Sequence, residues 1–362
     1  MPIPTEPIGS IPRPPRLIEA VREFEEGRLS KKLLEALYDE ALRVTIRRLE
    51  ATGSPVITDG EQTKPSFATY PIHGLANLAP DGATVLFADG HVRRLPRLTA
   101  GPFRYHTYAV SYLDAARRYT RAPLKQAVIS ASLLSLLYPA DGIDGYPREN
   151  FLQDLVAEAV ADIRLCLDHG ATKVQIDFTE GRLSLKLDPR GGLLSQFVDL
   201  NNQVLGHFSA AERQRIGVHT CPGGDRDSTH SADVDYEGLL SRLFRLDAGS
   251  FYIQLASEQD RPRVLRLMRD CSHAGQTIFV GVTDPINPRV ETPDEVRDRV
   301  LEAAEFIPPE RLGTTDDCGF SPFGDDTSTA RDTAFEKITA RVVGTELASQ
   351  RLRMATAASL GA

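Results

Sequence analysis

Arg215-Ile216-Gly217-Val218-His219-Thr220-Cys221 is the stretch on which the fold turns. A short apolar run ends in His-x-Cys. Alternate residues of a strand point to the same face. A strand ending here aims the His219 imidazole and the Cys221 thiol at one point. A second isolated cysteine, Cys318, stands in Thr314-Thr315-Asp316-Asp317-Cys318-Gly319, again just past an apolar segment. Imidazole and thiolates with one carboxylate make the N/S/O ligand set of Zn2+. The spacing is not that of a zinc finger. Ligands this far apart meet only after the chain has folded, which favours a catalytic metal over a structural one.

The same strand-then-helix rhythm runs outward in both directions. Ile8-Gly9-Ser10 closes a first apolar segment, and helices are predicted near 16–26 and 30–52. Pro55-Val56-Ile57-Thr58-Asp59 reads as a second strand. Thr84–Ala88 and His91–Leu95 flank Asp89-Gly90, the signal of an antiparallel hairpin. Strands are then predicted at Gln126–Ile129, Lys173–Asp177, Ile216–His219, Ser250–Leu255, Thr277–Val282 and Leu312–Thr315. Helices fall between them, near 108–120, 148–169, 193–207, 235–246 and 260–271, with a last one from about 328. Gly170 is a C-terminal stop, and Thr292-Pro293-Asp294-Glu295 a capping box. Eight strands alternating with helices predict an α/β (β/α)8 TIM barrel. The reading is one catalytic domain over residues 1–362, with a small antiparallel hairpin inserted after strand two.

Composition bounds the function. At 41% hydrophobic and 25% charged residues, the 362-residue chain is ordinary globular material with length enough for a large core. A net charge of −8 argues against nucleic acid and against an anionic membrane surface as partners. No apolar run is long enough for a membrane span. The Pro-rich start, Met1 to Arg16, has no apolar core of a signal peptide, so a cytoplasmic enzyme is expected. Cys166, Cys221, Cys271 and Cys318 form no close pair in sequence, which favours ligands or buried thiols over disulfides. A homo-oligomer is left open.

In a β/α barrel the strand C-terminal ends form the active face. The residues there are Ser10, Glu61, Ser130, Asp177, His219, Cys221, Glu258, Asp284 and Cys318. The plain reading of His219, Cys221 and Cys318 is a core histidine and two small buried hydrophobes. Their common place at strand ends weighs against it. Cys166 and Cys271 lie inside predicted helices and read as structural, and His230 is a weaker ligand candidate. Glu258 follows strand six as a fourth, exchangeable oxygen ligand; the competing role is a helix N-terminal carboxylate. Asp177 and Glu61 suit a substrate ammonium. Ile8, Gly9 and Ser10 offer backbone N–H groups and a hydroxyl to a substrate carboxylate. Together they outline an amino-acid pocket beside a thiophilic metal.

The ordered set of motifs resembles the catalytic domain of cobalamin-independent methionine synthase, over about residues 5–345. It comprises Ile8-Gly9-Ser10 with Pro12-Arg13, Asp59-Gly60-Glu61, Val174-Gln175-Ile176-Asp177, His219-x-Cys221, Asp284 with Pro288-Arg289, and Asp317-Cys318-Gly319. The resemblance implies zinc ligands His219, Cys221, Glu258 and Cys318, and homocysteine-binding residues Ile8, Gly9, Ser10, Glu61 and Asp177. It also implies a catalytic Asp284 and methyl transfer to homocysteine, or a similar small thiol, to give methionine. Three departures stand out. The long family form has an extra N-terminal barrel, whereas this chain resembles the short core form. The family's His before Ser-Pro-Arg, the proton donor to the folate leaving group, is here Ile286 in Ile286-Asn287-Pro288-Arg289. The family's Asp-Glu-Pro turn is Asp177-Phe178-Thr179. The methyl donor is therefore open between methyl-folate and a methylated corrinoid protein. Methyl-folate is expected to be a poor donor, or one served by another proton source. The alternatives are an epoxide–thiol transferase, a metal-free decarboxylase on the same barrel, and a protein with a merely structural zinc.

Overall fold

Six parallel strands carry the architecture of this computed structural model, which describes residues 2–360 and their side chains through 355. In chain order they are Lys125–Ile129, Lys173–Asp177, Ile216–Thr220, Ser250–Ile253, Thr277–Thr283 and Leu312–Asp316, each hydrogen-bonded to the next. Helices cross between them, among them Arg148–Asp168, Gly192–Leu205, Tyr236–Leu243, Arg261–Cys271 and Pro293–Ala304. Apolar residues from strands and helices merge into one large buried cluster. Strands buried on both faces are what a parallel sheet wrapped by helices requires.

The remaining two strand positions of the predicted barrel are present only as isolated bridges. Thr5 pairs with Thr314, and Ile57 with Leu124, both in parallel. The ring of strand pairing is thus not closed. Proline explains much of this. Pro2, Pro4 and Pro7 in the first segment and Pro55 in the second lack the N–H that a ladder needs. Turn and side-chain bonds join the two segments instead. Ile11 N donates to Gly60 O at 3.0 Å, Thr58 Oγ1 to Gly9 O at 2.8 Å, and Gln62 Nε2 to Ile11 O at 2.8 Å.

Strand register fixes what faces inward. Gln175 lies opposite Gly217, and Asp177 opposite His219, so one face of these strands carries Lys173, Gln175, Asp177, Gly217 and His219. The next strands add Tyr252 and Phe279, stacked with ring centroids 4.6 Å apart. Glycine makes room for them. A Cβ on Gly217 would come 2.5 Å from the Tyr252 ring, and one on Gly313 would come 2.4 Å from Phe279.

The predicted hairpin is real, pairing Thr84–Leu86 antiparallel to Val92–Arg94. It is pinned to a second, two-residue hairpin, Gly224–Asp225 with Ser228–Thr229. Arg93 bridges Asp225 and Asp325, and His91 Nε2 meets Asp225 at 3.0 Å. Three short helices went unpredicted: Ala131–Leu134, Glu180–Leu187 and Ala210–Arg213. The capping box at Thr292 and Glu295 is formed, and the last helix starts at Arg331 rather than near 328. Among the described residues, no helix is long and apolar enough to cross a membrane.

Candidate metal and amino-acid site

His219 ends on the inward face of its strand, and Cys221 follows one residue past the strand's end. Cys318 comes two residues after the strand Leu312–Asp316. The tertiary fold brings their ligand atoms within 4.8 Å of one another. The two sulfurs lie 3.2 Å apart, and both cysteines are free. The hydrogen bond with Cys221, then burial, drives the Cys318 thiol well above its ordinary pKa. Without a cation between them, two such thiols cannot both ionise.

His219 is prepared from behind. Its Nδ1 lies 3.3 Å from the Tyr252 carbonyl, which can only accept, so Nδ1 carries the proton. That leaves the Nε2 lone pair free, and Nε2 is buried with no hydrogen-bond partner. An orphaned ring nitrogen beside two close sulfurs is costly unless something binds there. The donor set of one imidazole and two thiols fits zinc. Gly223 N also donates to Cys221 Sγ at 3.4 Å. Cys166 and Cys271 lie in helices, as expected.

Glu258 does not converge with these three. Its Oε1 accepts from Arg182 at 3.1 Å, an arginine only 2% exposed in its side chain. Glu258 lines a neighbouring cavity of about 680 Å³ with Asp284, Ile286 and Asp317, and Cys318 is common to both cavities. Asp284 faces that second cavity, its N–H held by Glu291 Oε1 at 2.9 Å. His230 lines the first cavity but stays outside the cluster, with Nδ1 on Ser231 Oγ at 2.7 Å and burial lowering its pKa to about 4.

The first cavity, about 300 Å³, gathers the rest of the predicted site: Ile8, Gly9, Ser10, Glu61 and Asp177 line it with His219 and Cys318. Glu61 sits at φ +53°, a conformation that side chains rarely adopt. Arg13 holds that turn by donating to the carbonyls of Glu61, Lys64, Ser321 and Phe323, which gives the Pro12-Arg13 motif its purpose. Lys64 Nζ pairs with Glu61 Oε1 at 2.9 Å, both side chains fully buried. Asp177 Oδ1 accepts from Gln175 Nε2 at 2.7 Å, and burial raises its pKa to about 6. Gly319 lets the cysteine loop lie against Ser10, since a Cβ there would come 2.1 Å from Ser10 Oγ. The inserted hairpin supplies Val85, Phe87 and Arg93 as a roof. Sequence reasoning missed Lys64, Gln175 and Glu180. For Gln175, inward parity with Asp177 was the signal available.

The family model described as cobalamin-independent synthase, catalytic domain, matches residues 3–331. The chain belongs to that family. It is 26% identical over 324 residues to a 5-methyltetrahydropteroyltriglutamate–homocysteine methyltransferase of Nitratidesulfovibrio vulgaris, a match covering 88% of this chain and 38% of that protein. The chain thus spans well under half the length of that relative. It is 22% identical to a methionine synthase of Sulfurisphaera tokodaii, covering 97% of this chain and 94% of the relative. Among solved structures, a B12-independent methionine synthase from a Shewanella species in complex with selenomethionine shares the fold. It has a TM-score of 0.77 at 19% identity, covering 98% of this chain and all of that one.

Proposed function

We propose that this protein is a zinc-dependent thiol S-methyltransferase with homocysteine as acceptor and methionine as product. The observation that carries the reading is the meeting of His219, Cys221 and Cys318 at a cavity whose wall also holds buried Glu61 and Asp177. The names of the two relatives, a homocysteine methyltransferase and a methionine synthase, support it.

His219, Cys221 and Cys318 would hold the metal, leaving its remaining position to substrate sulfur. Zinc bound there would supply thiolate at neutral pH, because a coordinating thiol is deprotonated outright, whereas a free thiol has a pKa of about 8.5. Glu258, engaged by Arg182, would reach the metal only by exchanging that partner. Asp177 and Glu61 bind the amino-acid ammonium. Lys64 already offsets part of the Glu61 charge, so Asp177 contributes the larger share. Ser10 and the neighbouring backbone hold the substrate carboxylate. The roof from the inserted hairpin excludes water from the reacting sulfur. Asp284 lines the neighbouring cavity, which meets the first at Cys318, and the methyl donor is a methyl-folate or a methylated corrinoid protein. The catalytic unit is the barrel, and its place is the cytoplasm.

The test is a methyl-transfer assay with homocysteine against a panel of donors, before and after zinc is stripped and restored. Methionine formed only with zinc present is expected. Equal rates in stripped and restored protein would overturn the proposal.

A further inference from the structure

Four carboxyl groups line the first cavity: Glu61, Asp177, Glu180 and Asp325. Glu61 is paired to Lys64, and Asp325 to Arg93 and Arg226. Asp177 faces the strand-end position occupied by His219. Glu180 has no ion-pair partner among the described residues. It is 1% exposed, and it opens the helix Glu180–Leu187. Its Oε1 accepts from Ser130 Oγ at 2.7 Å and from Ser132 Oγ. Asn201 Nδ2 holds Ser132 Oγ in turn, at 2.6 Å. Oε2 is buried and takes no hydrogen bond from another residue among those described.

This arrangement sorts the two oxygens. Oε1 is saturated by donors, so a proton on the neutral carboxyl resides on Oε2. The elements packed around Glu180 bring it Ser130, Ser132 and Asn201, and one charged group, Asp177. Burial pushes the Glu180 pKa up to about 7; the two serines oppose the shift and Asp177 adds to it. Oε2 is thus left uncommitted, in a residue that lines the cavity His219 and Cys318 share.

An N-methyl donor needs such a group. Thiolate attack forms the sulfur–methyl bond as the nitrogen–methyl bond breaks, and the nitrogen keeps the bonding pair. An amide anion is a very poor leaving group, so that nitrogen must receive a proton. Ile286 carries none, and Asp284 faces the other cavity. We propose that Glu180 delivers the proton from Oε2 to the departing nitrogen of an N-methyl donor bound in this cavity, a step that rests on the methyl-transfer reading above. The proton released by the thiol on ionising returns Glu180 to its starting state. Thiol and N-methyl amine thereby become thioether and N–H amine.

The experiment compares wild-type zinc-loaded protein with Glu180→Gln, whose amide oxygen still accepts from both serines. Homocysteine is methylated from two probes: 5-methyltetrahydropteroyltriglutamate, which needs a proton at nitrogen, and methyl iodide, which does not. The variant is expected to lose about 10²–10⁴-fold with the pterin donor and to keep its methyl iodide rate. The wild-type decline above about pH 7, where an acid with that pKa loses its proton, should vanish in the variant. A pterin-donor rate within threefold of wild type would overturn the proposal, as would equal losses with both probes. Wild type active with methyl iodide alone would overturn it while sparing thiol activation. Wild type inactive with both would instead remove the methyl-transfer reading and the Glu180 proposal with it.

Discussion

Replacing Asp177 by Asn should weaken binding of the amino-acid thiol far more than it disturbs the fold. Asp177 is buried, and among the described residues no cation pairs with it. Its one strong contact is the Gln175 amide at 2.7 Å, which an Asn carbonyl can still accept. What the variant removes is the charge. Breaking one partner of a buried charge pair costs about 2–5 kcal/mol. Glu61 stands in the same cavity and keeps part of its charge beside Lys64, so the low end applies, about 2 kcal/mol. At about 1.4 kcal/mol per decade, that is roughly 30-fold in Kd. Calorimetric titration of zinc-loaded wild type and Asp177→Asn with homocysteine measures it. The thermal midpoint serves as the check on folding. A Kd within threefold of wild type would mean that Asp177 only orders its own loop, and the ammonium assignment would fail.

Three further outcomes are expected. The wild type should purify with one zinc per chain, and Cys221→Ser and Cys318→Ser each with less; equal metal content in all three would remove the cluster from consideration. Glu258→Gln should keep its zinc, because its carboxylate is engaged by Arg182 and lies outside the converging ligand atoms; metal loss matching that of the cysteine variants would restore it as a full ligand. Asp162, buried beside Tyr70, has its pKa raised by burial from 3.8 to about 6. Between those values the folded state binds more protons than the unfolded chain, so this residue's contribution to stability falls as pH rises from about 4 to about 6. Denaturant unfolding should therefore show the stability gap between wild type and Asp162→Asn narrowing over that interval, and a constant gap would contradict the shift.

Much of the site was legible because strands carry their own parity. Asp177 ends its strand and His219 stands one residue before the end of its own, in apolar runs plain in the sequence, so their place on one inward face followed from period two alone. The meeting of Cys221 and Cys318 was legible for a different reason: thiols at strand ends outside any disulfide spacing are placed to converge on one face. Glu258 fared differently. Its oxygen chemistry suited a metal, but a carboxylate goes to the nearest buried cation, and Arg182 lies on an unpredicted helix. Glu180 and Lys64 were invisible for the same reason. Nothing local marks either as buried, and each became significant only when packing withdrew it from water.

The chain by itself determined the order of strands and helices, the inserted hairpin and the residues that could bind a soft metal. These follow from periodicity, turn chemistry and side-chain type, all of which act over a few residues. Tertiary structure alone decided that strand pairing stays open at the proline-rich first segment, with side-chain and turn bonds joining it to the second. It decided that two thiols 97 residues apart lie 3.2 Å from each other. It also decided which acids find a cation and which are left without one, because burial and ion pairing depend on what the folded chain brings alongside, and no local pattern encodes a distant neighbour.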